Sequence, residues 1–218
     1  MRNGEPAIER RETATDTPAS ILVATTNAGK LREVRSILSF LPVQLIGLEA
    51  FPGLPEPIED ADTFEGNARL KALHYAKLTG RWTLADDSGL EVDALGGAPG
   101  VHSARYAGPQ RNDAANNAKL VAELRSIPPH GRTARFRCVV ALAAPGRVVA
   151  TSDGTIEGRI LDEPRGTNGF GYDPHFFVPE HGMTTAEMRP EQKNRLSHRG
   201  KAVSAMARRI EELLAKRA

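Results

Sequence analysis

Two adjacent carboxylates, Asp86 and Asp87, lie in the stretch LADDSGLEVDALGGAPGV at 84–101 and are the first candidates for chemistry. An apolar run precedes them, and residues 90–94 alternate in polarity, so the pattern predicts one strand ending before the pair and another beginning after it. Side chains at such a junction can point into a cleft, where open α/β sheets usually place ligands. Asp87-Ser88-Gly89 is therefore predicted to be a turn with a catalytic or metal-binding role. A purely structural turn is the alternative, because these residue types favour turns for local backbone reasons.

A polar loop with a lysine, TTNAGK at 25–30, follows the apolar run at 21–24. Apolar residues then recur at helical spacing, with Arg32, Glu33 and Arg35 on the other side, so the pattern predicts strand, loop and helix. Free backbone N–H groups and the positive end of a helix dipole suit a phosphate, and Lys30 adds a full charge. The loop is not a Walker loop, because the first glycine and the Ser/Thr after the lysine are missing. A plain turn with a solvated lysine is the alternative.

A third candidate is the glycine-rich and aromatic stretch GTNGFGYDPHFF at 166–177. Aromatic residues are 5% of the chain, yet four of them fall within 170–177. Phe170 lies between two glycines, which predicts a ring with uncovered faces on which a base can stack. Asp173 is close enough in sequence to accept hydrogen bonds from the edge of that base. Core packing is the alternative, and it fits Phe176 and Phe177 better than Phe170.

Cations crowd the predicted start of the last helix, in SHRGK at 197–201. Ser197 is a suitable N-cap. His198, Arg199 and Lys201 then fall in the first turn, where the helix dipole disfavours each cation by roughly 0.3–1 kcal/mol. Cations at a position where the helix dipole disfavours them indicate that these side chains bind an electron-rich ligand. Ordinary surface variation is the alternative.

The elements that must position these residues suggest one α/β domain over 21–218. Strands are predicted at 43–48, 133–144 and 148–161, the last two forming a hairpin across Pro145-Gly146, which makes the sheet mixed. Helices are predicted from Phe64, at 112–125 and after Ser197. Residues 1–20 are polar and lack apolar periodicity, which predicts a disordered N-terminal extension.

Bulk composition narrows the classes of function. The chain has 29 Lys and Arg against 27 Asp and Glu, without a basic block, which argues against a nucleic-acid-binding protein. Its single cysteine, Cys138, excludes an internal disulfide and a cysteine-cluster metal site. Since no stretch approaches the ~20 apolar residues of a membrane span, and the N-terminus lacks a signal-peptide core, we expect a cytoplasmic protein with no membrane partner.

The candidate sites together match the parts of one type of ligand. Carboxylates suit a hard cation, a lysine loop suits phosphates, and an aromatic loop with an aspartate suits a base. This inventory describes a nucleoside triphosphate bound with Mg²⁺.

Several separated motifs, in order, resemble the inosine triphosphate pyrophosphatases, a family of non-canonical purine nucleotide pyrophosphatases. The resemblance runs from about residue 21 to 214. It rests on TTNAGK at 25–30, TFEGNA at 63–68 with Lys71, ADDSGLEVDALGGAPGVHSARY at 85–106, GFGYDP at 169–174 and SHRGKA at 197–202. One departure is visible: the family usually has Glu before the asparagine of TFEGNA, whereas this chain has Gly66, with Glu65 one place earlier.

The resemblance implies a two-lobed α/β fold with a long mixed central sheet flanked by helices, an active-site cleft between the lobes, and usually a homodimer. It implies Mg²⁺-dependent hydrolysis of the α–β phosphoanhydride of ITP, dITP or XTP to the monophosphate and pyrophosphate, which cleanses the nucleotide pool. A non-catalytic purine nucleotide sensor using the same cleft is the alternative, although a sensor has no need of a water-activating acid. An enzyme acting on canonical nucleotides and a nucleic-acid-binding module are further alternatives.

The resemblance also implies roles for individual residues. Asp87 matches the catalytic and metal-binding acid, Glu59 the second metal carboxylate, and Asp86 a neighbour that holds a metal-bound water. The positions that match contacts to the triphosphate and sugar are Thr25, Thr26, Asn27, Ala28, Gly29, Lys30, Lys71 and Ser88. Those that match the base site are Phe170, Gly171, Tyr172, Asp173, Lys193, His198 and Arg199. Hypoxanthine and xanthine carry a carbonyl at C6 where adenine carries an amino group, so a pocket of donors is expected to discriminate against adenine.

Overall fold

A computed structural model describes residues 20–216. The predicted N-terminal extension lies outside the described residues except for Ser20, which is the first residue of a strand. The strands are β1 (Ser20–Val23), β2 (Gln44–Gly47), β3 (Trp82–Val92), β4 (Thr133–Ala144), β5 (Arg147–Ile160), β6 (Phe176–Val178) and β7 (Met183–Thr184). The α-helices are α1 (Ala28–Ile37), α2 (Phe64–Thr79), α3 (Asp113–Glu123), α4 (Pro190–Leu196) and α5 (His198–Ala215).

The strands form one mixed sheet in the order β2-β1-β3-β4-β5-β6-β7. β1 runs parallel to β2 and β3, and every later neighbour pairs antiparallel. The predicted hairpin is β4 and β5, which pair along almost their whole length. These features confirm the predicted α/β class and the long mixed sheet flanked by helices.

The predicted turn at Asp87-Ser88-Gly89 is wrong, because β3 is one continuous strand of 11 residues. β4 pairs with it from Thr83 to Val92, so a ladder of backbone hydrogen bonds runs through the acidic stretch. β1 pairs with β3 only as far as Leu84. Beyond that point the other edge of β3 has no strand neighbour among the described strands. Asp87, Ser88 and Gly89 can therefore line a cavity while remaining in a strand.

Buried apolar side chains form three clusters that divide the molecule into two lobes. Two clusters cover opposite faces of one half of the sheet, the first beneath α1 and α5 and the second beneath α2. The third joins the far halves of β3, β4 and β5 to β6 and α3. Along β3, Leu84 belongs to the first cluster and Ala85 to the second, because successive strand residues face opposite sides of a sheet.

The last helix begins as predicted. The Ser197 hydroxyl caps α5 by accepting a hydrogen bond from the Gly200 N–H at 3.0 Å. Val203, Met206 and Ile210 are buried in the first cluster. Gly154 of β5 permits the close approach of α5, because a Cβ there would lie 2.2 Å from the His198 carbonyl oxygen. Among residues 20–216, none of the helices combines the length and apolar character that crossing a membrane requires.

Candidate active site

One cavity of about 240 Å³ is lined by residues of both lobes, and most of the predicted site residues meet there. Those lining it are Thr25, Thr26, Asn27, Lys30, Glu59, Lys71, Asp87, Ser88, Phe170, Gly171, Tyr172, Asp173, Lys193, His198 and Arg199. Ala28, Gly29 and Asp86 are the predicted site residues that do not line it. The lysine loop, the acidic strand and the aromatic loop thus open onto the same cleft.

Asp87 faces α2, where two side chains one helical turn apart contact its carboxylate. Asn67 Nδ2 donates a hydrogen bond to Oδ2 at 3.1 Å, and Lys71 Nζ lies 3.5 Å from Oδ1. Burial raises the pKa of Asp87, and the Lys71 and Lys30 ammonium groups offset this only in part. A buried carboxylate with a raised pKa is suited to take a proton from water near neutral pH.

Lys71 connects the two carboxylates for which the resemblance implies metal binding. Its Nζ lies 2.6 Å from Glu59 Oε2 as well as 3.5 Å from Asp87 Oδ1. Burial alone would lower the pKa of Lys71, but Asp87, Asp86 and Glu59 raise it overall. Glu59 and Asp87 therefore converge on one position that favours positive charge.

The donor set at this position fits a magnesium ion that substrate phosphates help to bind. Mg²⁺ typically takes one or two protein carboxylates and completes its coordination with phosphate and water oxygens. Glu59 and Asp87 supply two carboxylates. Within residues 20–216, no group of three or more His, Cys, Asp or Glu side chains is gathered for a metal. The two carboxylates alone therefore leave coordination positions that other oxygen ligands would have to fill.

Asp86 lies on the opposite face of β3 from Asp87 and meets two cations. Lys30 Nζ is 2.9 Å from its Oδ2, and Arg199 Nε is 3.3 Å from the same oxygen. Burial raises the pKa of Asp86, but Lys30 and Arg199 outweigh it and hold the pKa well below its usual range. Asp86 is thus enclosed with two cations and does not line the cavity, and the water-holding role that the resemblance implies stays a prediction.

The Phe170 ring is partly buried and lines the cavity, and two cations lie close to it. Lys193 Nζ lies 4.8 Å from the ring centroid, and Arg199 Cζ lies 5.5 Å from it. The ring also packs against Gly29 at the start of α1, where a Cβ would come within 2.6 Å of a ring carbon. Phe170 thus connects the aromatic loop to the lysine loop across the cleft.

Asp173 organises the Phe170 loop from within. Its Oδ2 accepts hydrogen bonds from the Phe170 N–H at 2.8 Å and from Lys193 Nζ at 2.6 Å. Its Oδ1 accepts from the Thr185 hydroxyl at 2.8 Å. Both carboxylate oxygens are engaged by the protein, although Asp173 was expected to accept from the edge of a base.

The cations around the start of α5 meet carboxylates from distant elements. Arg199 is 2% exposed, and its guanidinium donates to Glu33 Oε2 at 2.6 Å and to the Ser88 hydroxyl at 2.7 Å, besides Asp86. Lys193 Nζ lies 3.0 Å from Glu33 Oε1. The cations at this helix start therefore have electron-rich partners within the protein itself, namely carboxylates. These ion pairs offset the unfavourable interaction of the cations with the helix dipole.

His198 is buried in the wall of the same cavity, where its ring stacks on Phe136 with 4.7 Å between centroids. Burial lowers its pKa well below the ordinary value, and Arg199, Lys193 and Lys30 lower it further. Its Nδ1 has no hydrogen-bond partner among residues 20–216. A neutral imidazole offers one hydrogen-bond donor and one acceptor, so His198 can form hydrogen bonds to a polar ligand in the cavity.

Sequence reasoning missed Glu33. It was assigned to the outer side of α1, yet α4 and α5 cover it with two cations. Asn67 and Lys71 are spaced i, i+4 on α2, which predicts that both lie on one polar face of that helix, and the structure shows both in contact with Asp87.

Glu65, which stands one place before the usual family position, lies outside the site. It pairs with Arg69 at 3.0 Å on the solvent side of α2, with about half of its side chain exposed. At Gly66 a Cβ would come within 2.6 Å of the Ala61 Cβ, so the neighbouring loop is packed closely against the helix start.

Comparison with known proteins agrees with this geometry. The sequence profile of the Ham1 family matches residues 21–209. A dITP/XTP pyrophosphatase of Geobacter sulfurreducens is 56% identical over 186 residues, which are 85% of this chain and 94% of that protein. A dITP/XTP pyrophosphatase of Geobacillus kaustophilus is 50% identical over 194 residues, 89% of this chain and 95% of that protein.

Solved structures match as well. A HAM1 protein from Coxiella burnetii superposes with a TM-score of 0.81 at 42% identity, over 88% of this chain and 98% of that chain. A nucleoside-triphosphatase / dITP/XTP pyrophosphatase from Mycobacterium abscessus gives a TM-score of 0.70 at 45% identity, over 86% and 98% of the two chains. The resemblance drawn from the sequence motifs is confirmed, and the chain belongs to the Ham1 family.

Proposed function

We propose that this chain hydrolyses non-canonical purine nucleoside triphosphates, namely ITP, dITP and XTP, to the monophosphate and pyrophosphate, and so removes them from the nucleotide pool. The observation that carries this proposal is the single cleft in which Asp87, with its raised pKa, lies beside Lys71 and opposite the lysine loop. Relatives that are 50–56% identical are named dITP/XTP pyrophosphatases, which supports the same activity.

The triphosphate binds between the lysine loop and α2. Asn27 caps α1 by accepting a hydrogen bond from the Lys30 N–H at 3.0 Å, so the helix begins at the wall of the cleft with its positive dipole end. Thr25 and Thr26 add hydroxyl groups to the same wall. Lys71 contributes an ammonium group from the opposite side.

Hydrolysis depends on Asp87. Water attacks the α-phosphorus and the bond to the bridging oxygen breaks, which releases pyrophosphate. Asp87 accepts the proton of this water, and Asn67 and Lys71 hold its carboxylate in place. Glu59 and Asp87 are the residues that would hold Mg²⁺, which neutralises phosphate oxygens and orients the water when bound.

The base is bound at the other end of the cleft, by the Phe170 loop and the start of α5. His198 presents a neutral imidazole there, and Lys193 and Arg199 add donors that suit a C6 carbonyl. An amino group at C6, as in adenine, would leave such donors unpaired, and a mismatch of this kind discriminates strongly.

We further propose that the chain acts in the cytoplasm as a homodimer, without nucleic acid or membrane as a partner. The family resemblance supports the dimer, and the near-balanced charge of the chain supports the absence of nucleic acid. Sedimentation equilibrium of the purified chain measures its mass and distinguishes one copy of 23.6 kDa from two.

The test of the activity is a substrate panel with the purified full chain. Release of pyrophosphate is measured from ITP, dITP, XTP, ATP and GTP, with Mg²⁺ and with a chelator in its place. We expect turnover of ITP, dITP and XTP with Mg²⁺, weak turnover of ATP and GTP, and none with the chelator. Nucleotide binding with no pyrophosphate release would instead indicate a sensor.

A further inference from the structure

Most of the positive charge in the cleft is already paired with carboxylates of the protein. Six cations and five carboxylates line the cavity. Four of the cations form ion pairs: Lys30 with Asp86, Lys71 with Glu59 and Asp87, Lys193 with Glu33 and Asp173, and Arg199 with Asp86 and Glu33. The inner wall therefore has little uncompensated positive charge to offer a polyphosphate.

The two remaining cations, Arg105 and Arg111, have no ion pair with a carboxylate of residues 20–216. Both are exposed, and both line the cavity from the lobe that contains α3. Arg105 ends a six-residue 3₁₀ helix, Gly100–Arg105, and its guanidinium donates to the Glu59 carbonyl oxygen at 3.4 Å. This contact places it beside the loop that carries the proposed metal carboxylate.

Arg111 has an unusual backbone conformation. Its φ is +52°, and it is the one non-glycine residue of the described chain with a positive φ. Such a conformation costs about 1–3 kcal/mol and is found where the surrounding structure imposes it, often at ligand sites. A cation on a strained backbone at the wall of a cleft is therefore a candidate ligand-binding group.

The stretch from Arg105 to Asn117 contacts two other loops that line the cavity. The Asp113 carboxylate accepts a hydrogen bond from the Gly171 N–H at 2.8 Å, and Asn117 Nδ2 donates to the Gly171 carbonyl oxygen at 2.9 Å. Arg105 thus contacts the Glu59 loop, and α3, which begins two residues after Arg111, contacts the Phe170 loop. Both arginines therefore line the cavity next to loops that carry proposed site residues.

We propose that Arg105 and Arg111 form a polyphosphate subsite on the α3 side of the cleft, which binds the phosphate tail of the substrate together with Lys30 and Lys71. This inference rests on the proposed function, since it assigns the phosphate tail of that substrate to these side chains. A guanidinium group matches phosphate oxygens with two parallel N–H donors, and it stays charged at every relevant pH. The subsite also accounts for a highly anionic substrate binding to a cleft whose inner charges are balanced.

The test is calorimetric binding to the full chain. The ligands are an inosine triphosphate with an α,β-imido bridge, which is not hydrolysed, and inosine monophosphate, each at low and high NaCl. We expect Arg105→Ala and Arg111→Ala each to weaken binding of the triphosphate about 10-fold, the loss of one charged hydrogen bond, with little change for the monophosphate. Added salt should weaken triphosphate binding less in the variants than in the wild type.

Two further variants serve as controls. Arg208→Ala removes an exposed arginine of α5 that does not line the cavity, and it should bind both ligands as the wild type does. Arg105→Lys keeps the charge and should recover part of the affinity. Melting temperatures of all variants should stay close to that of the wild type, because both arginines are exposed.

Wild-type affinity for the triphosphate in both alanine variants, or an equal loss for the monophosphate, would overturn the subsite. These results are separate from those that test the proposed function. A wild-type chain that binds the analogue but releases no pyrophosphate from ITP would refute the activity, whereas the dependence of triphosphate affinity on the arginines would still be measured.

Discussion

Asp86 and Asp87 are adjacent in the chain, yet their side chains lie on opposite faces of β3 and have opposite electrostatic surroundings. Asp86 lies 2.9 Å from Lys30 Nζ and 3.3 Å from Arg199 Nε, whereas Asp87 lies 3.1 Å from the Asn67 amide and 3.5 Å from Lys71 Nζ. Lys30 and Arg199 outweigh burial and hold the pKa of Asp86 well below its usual range, whereas burial raises the pKa of Asp87 although Lys71 and Asn67 act to lower it. The two carboxylates therefore differ in role, since Asp86 neutralises buried cations and Asp87 lines the cavity in which we propose that the substrate binds.

Asp87→Asn is expected to abolish activity and spare the fold. Loss of the proton acceptor should lower pyrophosphate release from ITP by at least about 100-fold. Because burial disfavours the ionised form of Asp87, the neutral amide should leave the free energy of unfolding unchanged or raise it. A steady-state pyrophosphate assay and urea denaturation measure the two quantities. Turnover near that of the wild type would remove Asp87 from the mechanism.

Asp86→Asn should have the opposite effect on stability. The substitution leaves Lys30 and Arg199 in the interior without the carboxylate that both contact. Breaking a buried ion pair in this way typically costs about 3–5 kcal/mol of unfolding free energy. Urea denaturation without nucleotide gives the value.

The control for Asp86→Asn is Glu65→Gln. It removes the partner of Arg69 on the exposed side of α2 and should cost less than about 1 kcal/mol. Equal stability of the two variants would show that the Asp86 cluster contributes nothing beyond a surface ion pair.

Glu33→Gln should make the protein less stable at neutral pH but not in acid. Burial raises the pKa of Glu33, but the opposing effect of Arg199 and Lys193 is larger. The pKa of Glu33 is therefore lower than its ordinary value of 4.5. A lowered carboxylate pKa stabilises the fold above the unfolded-state pKa, and this stabilisation is lost as the pH falls through the folded-state pKa.

The measurement for Glu33 is the difference in unfolding free energy between wild type and variant at a series of pH values. We expect about 3 kcal/mol at pH 7 and a progressively smaller difference below pH 4.5. A difference that stays constant across this range would mean that the charge of Glu33 does not stabilise the fold.

Local signals in the sequence predicted much of this fold. The hairpin of β4 and β5 was placed within one residue at each end, because alternating polarity and the Pro145-Gly146 turn are properties of neighbouring residues. A turn was wrongly predicted within β3 because Asp, Ser and Gly disfavour strands locally. Pairing with β4 overrides that preference, and only the tertiary structure reveals it.

The site was less predictable than the fold wherever a role depends on distant residues. Glu33 lies 166 positions from the guanidinium that it binds, so helical periodicity alone assigned it to solvent. Arg105 and Arg111 are conspicuous only because the other cations in the cleft are paired, and that pairing is a property of the folded chain.

Arg199→Ala is expected to raise the KM for ITP and to narrow the difference between ITP and ATP. The guanidinium lies in the wall of the base half of the cleft, 5.5 Å from the Phe170 centroid. Its removal also leaves Asp86 and Glu33 with one cation fewer, so the melting temperature should fall. Kinetics must therefore be measured well below that temperature. If the ratio of kcat/KM values for ITP and ATP does not change, Arg199 has only a structural role.

Gly29→Ala tests the contact between the lysine loop and the aromatic loop. A Cβ at this position would lie 2.6 and 2.8 Å from two ring carbons of Phe170, so the ring has to move away from α1. Because the clash is with a side chain that can move, the stability of the fold should change little.

The displaced ring should weaken base binding, which raises the KM for ITP several-fold and changes kcat little. Gly80→Ala is not a suitable control because that residue has a φ of +67°. Ser204→Ala is suitable, since Ser204 is exposed on α5 and does not line the cavity. A Gly29→Ala enzyme with the KM of the wild type would mean that the position of the Phe170 ring does not determine nucleotide affinity. The closure of the two loops onto each other would then be a feature of the fold alone.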